Sequence, residues 1–416
     1  MKGRISNERF VHTSHSDMEL YYSLASSVPV QNMSLLDLPT LWNASGVEAL
    51  DSDLFEYFCC VASGSLPTFG HDATALRNIL VRTALEGETA SAAAVLQALL
   101  AFSSLHRYGL QPQALELKIT ALGSLAKGSF TPGLGTKETI EHIAAGMLLS
   151  SFEVHQSSCT SGHWTGYLGG VKTITDMSSV KTLLQFSSDV AVLLDWVHYH
   201  NVLARFSLLY WNGEETSEFP STPTNLLSSQ DSSLPPPIYS MMDLLSQICD
   251  LSNSAIPTGT SDEVDNYKGF LKVLDWRIRS LPIKGDNDGE MLLMKLYQLA
   301  LLLFLNRSFE GLIDQPIRMQ QQIGQAFAIL PRLSSCRQQF PIYVIGCEAR
   351  TDEQRAAVLD LITKTEKMST SRSFNHCRTL LQAVWTQDDL AEWDDISYRA
   401  KLTLVISRCA VAPIFV

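Results

Sequence analysis

The sequence predicts an all-α fold, a multi-helix array of roughly 12–15 helices with little or no β-sheet. Three observations predict it. Apolar residues recur at helical spacing along most of the 416 residues, whereas strand alternation bounded by turn residues is scarce. Helix start and stop signals fall where the periodicity begins and ends. Hydrophobic residues make up 45% and charged residues only 18%, below the roughly 25% of an average protein, so a large core is available and disorder of the whole chain is excluded.

The elements follow in order. In Asp51–Ser63, Leu54, Phe55, Phe58 and Val61 step helically, Asp51 or Ser52 is placed to cap, and Ser65-Leu-Pro-Thr68 breaks the helix. Ala73–Leu85 puts Leu76, Ile79 and Leu80 on one face. Ser91–Tyr108 has a broad apolar face, with His106 and Arg107 in the last turn, where cations suit the dipole, and Gly109 to end it. Gln111–Lys127 follows, with Pro112 at an N-terminal position that loses no hydrogen bond. Gly128–Gly135 reads as a loop. Thr136–His155 is a helix whose Glu138 and Glu141 suit a first turn, although Thr136-x-x-Thr139 is not a capping box. After a loop at Ser157–Gly162 come a short helix, Trp164–Met177, and a long apolar one, Ser187–Tyr210.

The character then changes. Residues 213–237 form a Ser-, Thr-, Pro-rich and acidic insertion, and 252–261 a second polar gap, on either side of a short helix at Met241–Leu251. Further helices are expected over Asp262–Leu281, Asp288–Arg307, Pro316–Leu330, Thr351–Lys367 and Asn375–Trp385, with an apolar tail to Val416. No internal repeat of fixed period is present.

Composition excludes several functions. Lys+Arg 31 against Asp+Glu 43 leaves a net charge of −12, the wrong sign for a chain that grips nucleic acid alone. The 8 cysteines are scattered without a Cys-x-x-Cys pair and most lie in apolar helical stretches, as reduced structural thiols do. Behind the charged start there is no apolar signal region, and the most apolar stretch, Met291–Leu305, contains Lys295 and is too short for a membrane span, so no membrane partner is expected.

Five patches in order resemble one family. They are Leu54-Phe-Glu-Tyr-Phe58 with Leu66-Pro-Thr-Phe69; Ala98-Leu-Leu-Ala-Phe-Ser-Ser-Leu105-His106 and the following helix; Ile143–Glu153 with His163-Trp164-x-x-Tyr167-Leu168-x-Gly170; the helix Asp195–Leu208; and Phe340-Pro-Ile-Tyr-Val-Ile-Gly-Cys347 continuing through Arg350, Arg355 and Leu359–Ile362 to Trp385 and Trp393. Over about residues 50–410 the chain resembles the second type of fungal-specific transcription factor domain, the regulatory middle region of fungal binuclear zinc-cluster factors. The resemblance implies a helical regulatory domain over 51–416, a nuclear address and control of transcription. The regulator reading adds the expectation of protein partners such as a zinc-cluster factor or the transcription machinery, and of a small-molecule effector. Such factors carry a six-cysteine, two-zinc module that places a helix end on DNA. Here residues 1–50 form an extension with no cysteine, which puts direct DNA binding in doubt. The expected role is a coactivator or modulator, with secondary-metabolite genes as targets.

Residues that carry chemistry are few. Asp195-Trp-Val-His198-Tyr-His200 invites a metal reading, but residues two apart on a helix point about 200° apart, so an Asp195–His198 pair is the expectation. Glu153 ends a very apolar helix and needs a cation or hydroxyl. Trp164 and Tyr167 are expected to pack in the core. Acidic residues around Trp385 and Trp393, namely Asp388, Asp389, Glu392, Asp394 and Asp395, read as a solvated helix edge or, alternatively, a contact for transcription machinery. No phosphate loop, dinucleotide fingerprint or nucleophile elbow occurs. No catalytic residue, metal or cofactor is expected. The alternative function is a regulatory scaffold turned enzyme or binder for a secondary-metabolite intermediate; its pocket candidates are Glu153, His155, Trp164, His198 and Arg205.

Overall fold

A computed structural model of the chain describes residues 44–66, 73–129, 135–156, 162–176, 188–211, 237–254, 261–283, 285, 287–313, 315–369, 374–390, 397–409 and 411–416. The polar insertion at 213–237 apart from Pro237, most of the gap at 252–261 and of the loops at 128–135 and 157–162, Cys159, the acidic group around Trp393 and most of the 1–50 extension lie outside them. The chain divides into two compact units, Met1–Ala49 and Leu50–Val416, and the second carries the core described below.

Among the described residues every regular element is helical. The helices are α1 (Ala44–Cys60), α2 (Ala73–Leu85), α3 (Ala90–Tyr108), α4 (Pro112–Ser129), α5 (Thr136–Val154), α6 (Trp164–Asp176), α7 (Ser188–Trp211), α8 (Pro237–Asn253), α9 (Ser261–Arg279), α10 (Asp288–Ser308), α11 (Pro316–Ile329), α12 (Gln339–Gly346), α13 (Asp352–Ser369), α14 (Phe374–Leu390) and α15 (Tyr398–Ile406). Short 3-10 turns follow α1 and α11, over Ala62–Ser65 and Leu330–Arg332. The all-α expectation holds, with two local corrections. Helix α1 begins at Ala44, so Asp51 and Ser52 are interior rather than capping; nothing in Ala44–Leu50 forces a break. Helix α8 begins at Pro237, where a proline costs no intrahelical bond. The Phe340–Cys347 patch is the helix α12, whose eight residues are all buried; Pro341 falls in its first turn, where no helical N–H is missed.

Caps fix the ends. Thr89 Oγ1 accepts the Ala92 N–H at 2.9 Å to start α3, and Gly109 ends it at φ 77°, a left-handed conformation suited to glycine. Gly135 N–H donates to Glu138 Oε2 at 2.9 Å at the start of α5. Asn287 Oδ1 and Ser397 Oγ accept N–H groups of Glu290 and Ala400 to start α10 and α15.

Helices α2 to α6 pack together in chain order, with α3 against α2, α4 and α5, and α6 against α5. At that last crossing the backbones come close. A β-carbon at Gly146 would stand 2.5 Å from Val171 Cγ2. Gly146→Ala is therefore expected to lower stability by about 1–3 kcal/mol through overpacking, although alanine is the better helix former. Equal or higher stability in urea unfolding would contradict the close approach. Helices α8 to α15 pack around α10 and α12. The 24-residue α7 touches both groups, contacting α2, α5 and α6 on one side and α8 and α15 on the other. Its Phe206 meets Phe304, Phe340, Tyr343 and Phe415 edge-on, with centroids 5.0 to 6.4 Å apart, so one buried cluster runs through both halves.

The tail from Val411 to Val416 is buried. It is tied down by Trp164 Nε1–H to the Ala412 carbonyl at 3.0 Å and by Gln339 Nε2–H to the Val416 carbonyl at 2.7 Å. No described helix is long and apolar enough to cross a membrane.

Candidate functional site

Glu153 lies in the last turn of α5, almost wholly buried, because the apolar face of that helix carries it inward. The cation it needs is Lys118 of α4, whose Nζ donates to Glu153 Oε1. The same ammonium stands 5.4 Å from the centroid of the Phe152 ring and 5.9 Å from that of Tyr167. A charge shared between a carboxylate and two aromatic faces is well held in a low-dielectric setting. Sequence reasoning missed Lys118; the available signal was a lysine next to Leu117 in the apolar stripe of α4.

His155 follows directly and caps α5. Its Nδ1 is 2.8 Å from the Ser151 carbonyl and its Nε2 3.2 Å from that of Ser65, with the ring edge-on to Phe102. Two facing carbonyls favour a doubly protonated ring. Complete burial opposes that more strongly and brings the pKa down to about 4. His200 of α7, also fully buried, is likewise held down to about 4, with His155 adding to the effect. Its Nδ1 lies 3.0 Å from the Trp196 carbonyl, and Nε2 meets no hydrogen-bond partner among the described residues, as a neutral ring allows.

These two rings make stability depend on pH. Their folded pKa values lie below the unfolded value of 6.5, so the stabilisation is complete above 6.5 and is lost as pH falls toward 4, by about 3 kcal/mol per ring. Urea unfolding of His155→Asn, which keeps a donor near the Nδ1 position, should show a flatter decline over that window than the parent. Parallel curves would contradict neutral burial.

Trp164, at the start of α6, is buried and bonded to the tail as described. His198 and Arg205 lie one above the other on α7, seven residues apart. They face Asp243 and Asp250 of α8, also seven apart. His198 Nε2 is 3.4 Å from Asp243 Oδ1; Arg205 Nη2 pairs with Asp250, and Nη1 donates to Ser246 Oγ at 2.5 Å. Pairs that advance together over two turns mean that α7 and α8 run parallel. His198 thus meets an acid, Asp243, across the helix pair. The five candidates therefore fall into three places: Glu153 and His155 at the end of α5, Trp164 under the tail, and the two rungs of the α7–α8 ladder.

The C-terminal half holds a second ionic network that the sequence did not reveal. Arg307 of α10 grips Glu348 through two hydrogen bonds of 2.8 and 2.7 Å. Asp388 of α14 is buried, with Arg350 Nη1 2.8 Å from Oδ2 and Lys401 on Oδ1. Asp389 takes both terminal nitrogens of Arg355, at 2.7 and 2.9 Å, while that guanidinium stands 5.6 Å from the ring centroid of Trp385. Asp388 is thus no part of a solvated edge: its helix turns it toward the cations of α15 and of the link before α13.

Among the described residues no group of three or more His, Cys, Asp or Glu side chains could hold a metal ion. The seven described cysteines are free thiols; Cys249, Cys336, Cys347 and Cys377 are buried, while Cys60 is exposed, against expectation. Burial pushes the thiols of Cys249 and Cys336 up to about 12, so they behave as apolar groups.

Compared with known proteins, residues 53–405 match the family model described as a fungal specific transcription factor domain. No solved structure matches the chain.

Proposed function

Because the chain belongs to the fungal specific transcription factor domain family, a family of transcription regulators, we propose that it controls transcription in the nucleus through protein partners. It acts as a coactivator or modulator beside a zinc-cluster factor or the transcription machinery. The observation that carries this reading is the family match across α1 to α15, joined to a charge pattern unsuited to phosphate binding. The net charge is −12, and many of the described arginines, among them Arg107, Arg205, Arg307, Arg350 and Arg355, are already engaged by carboxylates. Among the described residues, cations engaged in this way supply little of the affinity and salt dependence of DNA binding.

The mechanism is a shift between masked and active arrangements, driven by a partner or small-molecule effector that binds one arrangement better. The enzyme or metabolite-binder reading gains no observation in its favour, since Glu153 and Arg205 each spend their charge on another side chain and His198 faces Asp243.

The test is a deletion strain, with transcripts of secondary-metabolite genes read first, together with co-precipitation of the tagged chain. Altered transcripts and recovery of a zinc-cluster factor are expected. Unchanged transcripts alongside an accumulating pathway intermediate would contradict the proposal and favour the metabolite reading.

A further inference from the structure

Helix α9 has apolar residues on two faces. Leu271, Leu274 and Ile278 point into the core and are wholly buried, as an amphipathic helix requires. The opposite face should be polar. Instead Phe270, Val273 and Trp276 stand there 45%, 51% and 65% exposed. They are spaced by three residues, so they form one stripe about 9 Å long. No other described helix exposes three large apolar side chains in successive turns at this spacing.

Cations accompany the stripe. Lys272 lies one turn before Trp276, and Arg277 one turn after Val273; both are exposed. Among the described residues Lys272 makes no ion pair and Arg277 bonds the neutral Gln247 Oε1, at 2.9 Å, so neither charge meets an acid there. The acid between them, Asp275, is turned inward and held by Arg279 through bonds of 2.7 and 3.0 Å. The exposed charges beside the stripe that lack an acidic partner among the described residues are therefore both positive, on a chain whose net charge is −12.

We propose that this face of α9 is a docking surface for an acidic amphipathic peptide segment of a partner protein. Its apolar residues cover Phe270, Val273 and Trp276, and its carboxylates meet Lys272 and Arg277. Exposed tryptophan beside arginine is the composition that dominates binding energy at protein interfaces. A second copy of the chain fits less well, because a two-fold contact on this stripe brings Lys272 and Arg277 against their own kind. A nucleic acid fits poorly too, since two free cations supply few phosphate contacts. The proposal rests on the reading of the chain as a regulator that works through partners, and it names the surface.

The test uses the full chain and a fluorescein-labelled synthetic peptide with leucine and tryptophan at helical spacing and aspartate or glutamate elsewhere. A matched peptide carries lysine at each acidic position. Fluorescence anisotropy should show saturable binding of the acidic peptide in the micromolar range and none of the basic one. Trp276→Ala and Phe270→Ala should each weaken binding about tenfold or more, with circular dichroism and melting unchanged because the residues are exposed. The double variant Lys272→Glu, Arg277→Glu should reverse the preference between the two peptides.

The proposal is overturned by no saturable binding, by binding indifferent to these variants, by a dimer in sedimentation that Trp276→Ala dissolves, or by anionic vesicles or duplex DNA binding through the same residues in place of the peptide. The regulator reading is judged apart, on the transcripts of the deletion strain. Altered transcripts with no peptide binding would sink the docking surface alone.

Discussion

Replacing Phe206 by alanine is expected to lower stability by about 3–5 kcal/mol, one of the two largest single-residue effects in the chain. The ring is fully buried on α7 and meets four aromatic rings from α10, α12 and the tail, together with Tyr210 on its own helix. Truncation removes all of those contacts and leaves a cavity whose walls belong to different elements, which limits collapse. Phe206→Leu should recover more than half of the loss by filling the space. Urea unfolding followed by circular dichroism reads both variants. A loss under about 1 kcal/mol for the alanine variant would mean that the halves of the domain are not joined at this point.

The second large effect is expected at Arg307. Arg307→Met leaves the carboxylate of Glu348 buried with both of its strong hydrogen bonds gone, at a cost of about 3–5 kcal/mol. Glu348→Gln should cost less, because Arg307 keeps Glu310 at 3.2 Å. The double variant Arg307→Met, Glu348→Met should be more stable than Arg307→Met alone, since no unpaired charge remains inside. Additive losses in the double-mutant cycle would show that the two groups do not act as a pair.

Much of the helical framework was legible because its signals are local. Gly109 and Pro112 mark ends that backbone chemistry dictates, and the periodicity of Ala73–Leu85 or Asp288–Arg307 needs no tertiary information. Helix α12 was harder to assign, because Phe340-Pro-Ile-Tyr-Val-Ile is apolar all round and has no face to reveal a period. The start of α1 was misplaced because Asp51 and Ser52 can cap a helix or ride within one, and only the preceding turn decides.

The charged groups show the same division. That Glu153 needs a cation follows from its place in an apolar helix; that Lys118 supplies it depends on how α4 crosses α5. His198 and Arg205 have the seven-residue spacing of one helix face, and so do Asp243 and Asp250. Their union is a tertiary fact, because the residues that link α7 to α8 carry no sign of direction. The stripe on α9 was readable in principle: apolar residues fall on both sides of its helical wheel, which a period count that looks only for one buried face passes over.

Reaching genes through another protein is the central proposal for this chain. Chromatin immunoprecipitation of the tagged chain, in strains with and without the co-precipitated zinc-cluster factor, tests it most directly. The expected result is enrichment at discrete promoters that disappears when the factor is deleted. Enrichment that persists without any such factor, or occupancy no higher than an untagged control at every promoter, would contradict it.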